Sequence, residues 1–114
     1  MDEFDREWLK DMLEYASKAV RILGSQDAAA LEADETKLLA VSLAVQVVGE
    51  AAARVSGDGR AALPQIPWTD IIGMRHRLVH GYRTRSPRVI AGTVREHLPP
   101  LISALKQALG NEDQ

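Results

Sequence analysis

From Leu38 to Val55 the chain places apolar residues at nearly every helical angle: Leu38, Leu39, Val41, Leu43, Ala44, Val45, Val47, Val48, Ala51, Ala52 and Val55. Only Ser42, Gln46, Glu50 and Arg54 form a narrow polar stripe, at i, i+4 spacing. The β-branched residues would suit a strand, but apolar and polar positions do not alternate, and the alanines favour a helix. A helix that is apolar almost all round must be covered on several sides. In a chain of 114 residues, which is one domain by size, this demands other helices packed around it. It also leaves one side for a partner subunit to cover.

The same periodicity recurs on either side. Trp8, Leu9, Met12, Leu13, Ala16, Ala19, Val20 and Leu23 follow a 3–4-residue spacing, with Gly24 as the C-cap. Residues 25–33 read as a loop or short turn. Asp34 or Thr36 caps the apolar helix, and Gly57 follows its end. The stretch 56–67 holds Gly57, Gly59, Pro64 and Pro67 and reads as a loop. Pro67 opens a third helix that ends near Gly81, and Ser86-Pro87 opens a fourth, with Ser86 as N-cap. Pro99 and Pro100 lie within the fourth pattern and predict a kink. The expectation is an all-α, compact four-helix up-down bundle that dimerises through its helices. It is a single domain over residues 1–114, with helices at about 4–23, 34–56, 67–81 and 87–109.

Several classes of function drop out. The chain has no Cys, so disulfide scaffolds, thiolate metal sites and Cys nucleophiles are excluded. The longest mostly apolar stretch, Leu38–Val48, is short of the ~20 residues of a membrane span. The acidic residues 1–5 lack the apolar core of a signal peptide. No membrane partner and a cytoplasmic location are therefore expected. HExxH, multi-His, Walker A, GxGxxG and GxSxG patterns are absent, so neither a metal nor a cofactor is expected. Ser42 and Ser86 read as a helix-surface residue and a cap.

The formal charge of −2 hides an asymmetry. Residues 1–35 carry ten acids, whereas Ile71–Arg95 carries Arg75, Arg77, Arg83, Arg85, Arg88 and Arg95 and no acid. Arginine pairs bidentately with phosphate, which suits a nucleic-acid surface. The alternative is that these arginines pair with the acidic first helix of this chain or of a neighbour.

Within that stretch, Arg75, His80 and Tyr82 stand close in sequence. Five positions along a helix turn about 140° net, so Arg75 and His80 do not share a face of one regular helix. They converge if the helix loosens at Gly81 or if two copies of it meet. At a helix C-terminus the dipole favours the protonated imidazole, which suits acid–base work at His80. A nearby Arg can steady a phosphate that gains charge. A helix-end His also serves commonly as a cap or a surface residue, and spacing alone does not choose between these roles.

The run from Ile66 to Tyr82 (Ile-Pro-Trp-Thr-Asp-Ile-Ile-Gly-Met-Arg-His-Arg-Leu-Val-His-Gly-Tyr) resembles the HepT-like branch of the HEPN superfamily, whose members are small helical proteins with an R-x4-H-x-Y motif. Arg75, His80 and Tyr82 fill its three positions. Val47–Ala51 and Leu98-Pro99-Pro100-Leu101 resemble the family's flanking segments. The resemblance implies the toxin of a type VII-like toxin–antitoxin pair, a dimeric, metal-independent endoribonuclease. Its His would activate the RNA 2′-hydroxyl or protonate the leaving oxygen, and its Arg would steady the phosphate. It also implies, as partner, a minimal nucleotidyltransferase antitoxin that adenylylates Tyr82 and blocks the cleft. His76 stands where the family commonly has Asn. His76, Arg77, Arg83, Arg85 and Arg88 become candidate RNA-phosphate contacts, and Glu50 a candidate orienter of Arg75. The competing reading is a non-catalytic dimeric binding module for a nucleotidyltransferase or a nucleotide.

Overall fold

The computed structural model describes the chain over residues 1–79 and 86–112, and side chains over 1–76 and 86–110. The all-α expectation holds: the described residues form helices joined by short turns. These are α1 (Glu3–Leu23), α2 (Ala28–Ala33), α3 (Glu35–Arg54), α4 (Gly57–Ala62), α5 (Trp68–Val79), α6 (Pro87–Glu96) and α7 (Leu98–Glu112).

Their ends follow from local chemistry. The Asp2 carboxylate accepts the Asp5 N–H at 2.7 Å and starts α1. Gly24 ends it at φ 59°, a left-handed geometry that favours glycine, and donates its N–H to the Val20 carbonyl at 3.0 Å. Asp34 caps α3 by accepting the Lys37 N–H at 3.0 Å, and Ser86 caps α6 by accepting that of Val89 at 3.3 Å.

Two expected loops contain helices. Asp27 caps α2 through the Ala30 N–H at 2.8 Å, and Ser56 caps α4 through that of Gly59 at 3.0 Å. Each is a six-residue helix of mostly small residues, too short for periodicity to reveal. The expected kink at Pro99-Pro100 is a break at His97, between α6 and α7. Both prolines fall in the first turn of α7, where a missing N–H leaves no helical hydrogen bond unmade.

The apolar helix is α3, and it takes the centre. It packs along α1 on one flank and α5 on another, while α1 also packs against α7, and α2 against α6. Val41, Ala44, Val45, Val48 and Ala52 of α3 meet Leu9, Met12, Ala16 and Leu23 of α1 in one core, to which α6 and α7 add Ile90, Val94, Leu98 and Leu105. Each large aliphatic side chain buried there contributes about 1.5–3 kcal/mol. By length and composition α3, with 20 residues and a hydropathy of 1.4, is apolar enough to cross a membrane. In this fold that apolarity serves the contacts with α1 and α5.

Ser42 departs from the surface reading. It is 3% exposed, and its hydroxyl donates to the Leu38 carbonyl at 2.6 Å. This bond to the previous turn satisfies the hydroxyl, so a serine can face the core. The outward side of α3 instead presents Leu39, Leu43 and Glu50.

A polar staple joins the two ends of the chain's first half. Asp5 is buried, and its carboxylate accepts both the N–H of Ser56, at 2.8 Å, and the Ser56 hydroxyl. The start of α1 is thereby tied to the end of α3, which sets the two helices antiparallel.

Candidate nucleic-acid interface

α5 carries the motif arginine, Arg75, and its start is pinned first. The Trp68 indole N–H donates to the carbonyls of Arg60 and Leu63, each at 3.1 Å. Arg60 in turn donates from Nε to the Val55 carbonyl at 3.1 Å and from a terminal nitrogen to that of Ala53 at 2.9 Å. The guanidinium thus satisfies carbonyls at the C-terminal end of α3, which a helix by itself leaves open. Ile71 and Met74 then bury themselves in the core.

Beyond them α5 crosses α3 at Gly49. A Cβ at Gly49 would stand 3.0 Å from the Arg75 Cβ, 3.2 Å from the Ile71 carbonyl oxygen and 3.3 Å from the Arg75 N. Glycine is what lets the backbone of α5 approach this closely. The contact fixes the root of the Arg75 side chain, which is partly exposed. His76 follows on the exposed side of α5. Arg77 lies on the described backbone of α5, and Arg88 is exposed in the first turn of α6. His80, Tyr82, Arg83 and Arg85 lie outside the described residues.

Glu50 sits in a different place from the one an orienter of Arg75 would need. It lines a groove between α1 and α3 with Trp8, Asp11, Val47, Ala51 and Arg54. Its carboxylate lies 4.0 Å from the Arg54 guanidinium, which stands 5.2 Å over the Trp8 ring. The α3 position that faces Arg75 belongs to Gly49, one residue earlier.

The lysines of the acidic helix pair within α1, Lys10 with Glu7 at 3.4 Å and Lys18 with Glu14 at 3.0 Å. Among the described residues no ion pair joins Arg75, Arg88 or Arg95 to α1. Nor, among them, does any group of three His, Asp or Glu gather that could hold a metal ion. The charge distribution leaves open whether the arginines pair with α1 of this chain or of a neighbour. For these three, the first of those pairings is not made among the described residues.

Sequence reasoning missed the role of Gly49, although it lies within Val47–Ala51, one of the segments that carried the resemblance. It also passed over Asp5, whose partner lies 51 residues away.

The chain matches the family described as "Ribonuclease HepT-like" over residues 12–108, from within α1 to within α7. It is 35% identical over 68 residues to the "Probable ribonuclease HepT" of Thermococcus cleftensis, covering 60% of this chain and 62% of that protein. Over 94 residues it is 27% identical to the "Putative RNase MJ1380" of Methanocaldococcus jannaschii, covering 82% and 86%. A protein of Caldanaerobacter subterraneus, "Putative RNase TTE0752", is 31% identical over 68 residues, covering 60% and 61%. The chain thus spans less than two thirds of the first and third of these relatives. No solved structure matches it. The match, which runs through the helices that build the core, shows that the chain belongs to the HepT-like ribonuclease family.

Proposed function

We propose that this chain is the RNA-cleaving toxin of a toxin–antitoxin pair, acting in the cytoplasm as a metal-independent endoribonuclease. The observation that carries the reading is Arg75 of the R-x4-H-x-Y motif, rooted against Gly49 in a chain of the HepT-like family. In this chemistry the RNA 2′-hydroxyl loses its proton and attacks the adjacent phosphorus. The bond from phosphorus to the 5′-oxygen breaks, and that oxygen takes up a proton. His80 serves one of the two proton transfers, and Arg75 steadies the charge gained by the phosphate. His76, Arg77, Arg83, Arg85 and Arg88 hold the RNA backbone, largely without regard to sequence.

The working form in this reading is a dimer of four-helix up-down bundles, with α1, α3, α5 and the α6–α7 pair as the four arms. Its support is the outward face of α3, where Leu39 is 51% and Leu43 58% exposed, one turn apart. A second copy covering this face brings two α5 helices toward one cleft. His80 of one copy and Arg75 of the other can then meet across the dimer, which answers the angular separation on a single helix. The partner is a minimal nucleotidyltransferase antitoxin that adenylylates Tyr82, adding bulk and negative charge where the RNA phosphate would sit.

Expression in a bacterial host tests the proposal. Wild-type protein should arrest growth with loss of cellular RNA, and His80→Ala should do neither. Co-expression with the nucleotidyltransferase should add one adenylate mass to the wild type and none to Tyr82→Phe. Intact RNA in cells that hold folded, unmodified wild-type protein would move the assignment to a non-catalytic binding module.

A further inference from the structure

A cavity of about 290 Å3 opens between the start of α5 and the α6–α7 break. Its floor is apolar: Ile66, Ile71 and Leu101 are almost fully buried, and so is Met74. Its mouth is polar and exposed, with Asp70 on one side and Glu96 and His97 on the other, and with Gln65 and Thr93 adding oxygens. The volume sits at the small end of the ~300–1,000 Å3 of small-molecule clefts, so a compact ligand is called for. Neither Asp70 nor Glu96 has an ion-pair partner among the described residues.

The chemistry of this cleft is opposite to that of the arginine-rich stretch. Asp70 and Glu96 outweigh His97 at the mouth and disfavour a phosphate. Two carboxylates, an amide oxygen and a hydroxyl offer acceptors, so the complementary ligand is rich in N–H donors and positively charged. A planar amidinium or guanidinium pairs with a carboxylate through two parallel hydrogen bonds. A flat apolar body attached to it would lie on the aliphatic floor, with the Met74 sulfur able to meet an aromatic ring. We propose that the cleft between α5 and the α6–α7 break binds a small amidinium or guanidinium cation carried on an apolar body. Met74 neighbours Arg75 on α5, so a ligand here touches the helix of Arg75 and α7 together. The proposal concerns binding and holds whether or not the chain cleaves RNA.

The test is a titration of the 15N-labelled 114-residue chain with benzamidine, followed through backbone amide shifts, beside benzamide as an uncharged ligand of the same shape. Saturable shifts are expected at Ile71, Met74, Glu96 and Leu101, with benzamide at least about tenfold weaker. The double variant Asp70→Asn, Glu96→Gln should lose at least about tenfold in benzamidine affinity while keeping the wild-type spectrum elsewhere. Equal binding of benzamide, or an unchanged affinity in the double variant, overturns the proposal. So does the absence of saturable shifts at these residues up to about 10 mM, where even weak fragment binding registers. RNA cleavage is not read in this experiment, so its failure is distinct from failure of the ribonuclease assignment.

Discussion

Gly49 of α3 and Arg75 of α5 meet where their two helices cross, and a Cβ on the glycine would stand 3.0 Å from the Cβ of the arginine. Because the Ile71 carbonyl and the Arg75 N lie within 3.3 Å of the same point, a larger side chain must push the backbone of α5 away. Gly49→Val should destabilise the fold by about 1–3 kcal/mol through overpacking. Gly49→Ala should change stability by no more than about 1 kcal/mol, because helix propensity offsets the crowding, yet still shift Arg75 and lower RNA cleavage. Thermal unfolding and a cleavage assay on the same two variants check this. Wild-type cleavage in Gly49→Val would show that the crossing does not position the arginine.

The Asp5–Ser56 staple is expected to carry a measurable share of the stability. Asp5→Ala removes the acceptor of the Ser56 N–H and of its hydroxyl, so it should cost about 2–3 kcal/mol, seen as a lower urea midpoint. Asp5→Asn keeps one oxygen acceptor and should cost less.

RNA binding through exposed arginines should follow counterion release. Arg88→Ala should weaken RNA binding with little dependence on sequence. It should also reduce the slope of log affinity against log salt by about 0.7, the value for one contact to a single-stranded backbone. Titrations at several salt concentrations read this directly, and an unchanged slope removes Arg88 from the phosphate contacts.

The outward face of α3 predicts the assembly. Leu39 and Leu43 are both more than half exposed, so Leu39→Asp with Leu43→Asp should leave the monomer folded by circular dichroism. Light scattering should then find a monomer, and for the wild type a dimer. A double variant that remains dimeric would place the interface elsewhere.

The long helices were legible because each presents several turns of periodic apolar residues. α1 spans Glu3–Leu23 where 4–23 was expected, and α3 spans Glu35–Arg54 where 34–56 was expected. The short helices were not, because Ala28–Ala33 and Gly57–Ala62 offer barely more than one turn, the second rich in glycine. The prolines at 99 and 100 signalled an interruption, and the chain breaks just ahead of them because α7 can begin with them in its first turn. Asp5 reads only as one of the acidic residues 1–5, since nothing local reports a partner 51 residues away. For the site, the motif pointed to Arg75 directly, whereas the glycine that receives it emerged only from the helix crossing. The placement of Glu50 toward α1 likewise depends on which face of α3 meets α5, and one residue of register decides it.

Metal-independent cleavage by Arg75 and His80 is tested with purified, metal-free protein, incubated with RNA in excess chelator, comparing wild type, Arg75→Ala and His80→Ala. Circular dichroism should first show that all three are equally folded. Cleavage by the wild type is expected, leaving 2′,3′-cyclic phosphate ends, with a loss of at least about a hundredfold in each variant. Cleavage by folded His80→Ala at the wild-type rate would contradict the role of His80.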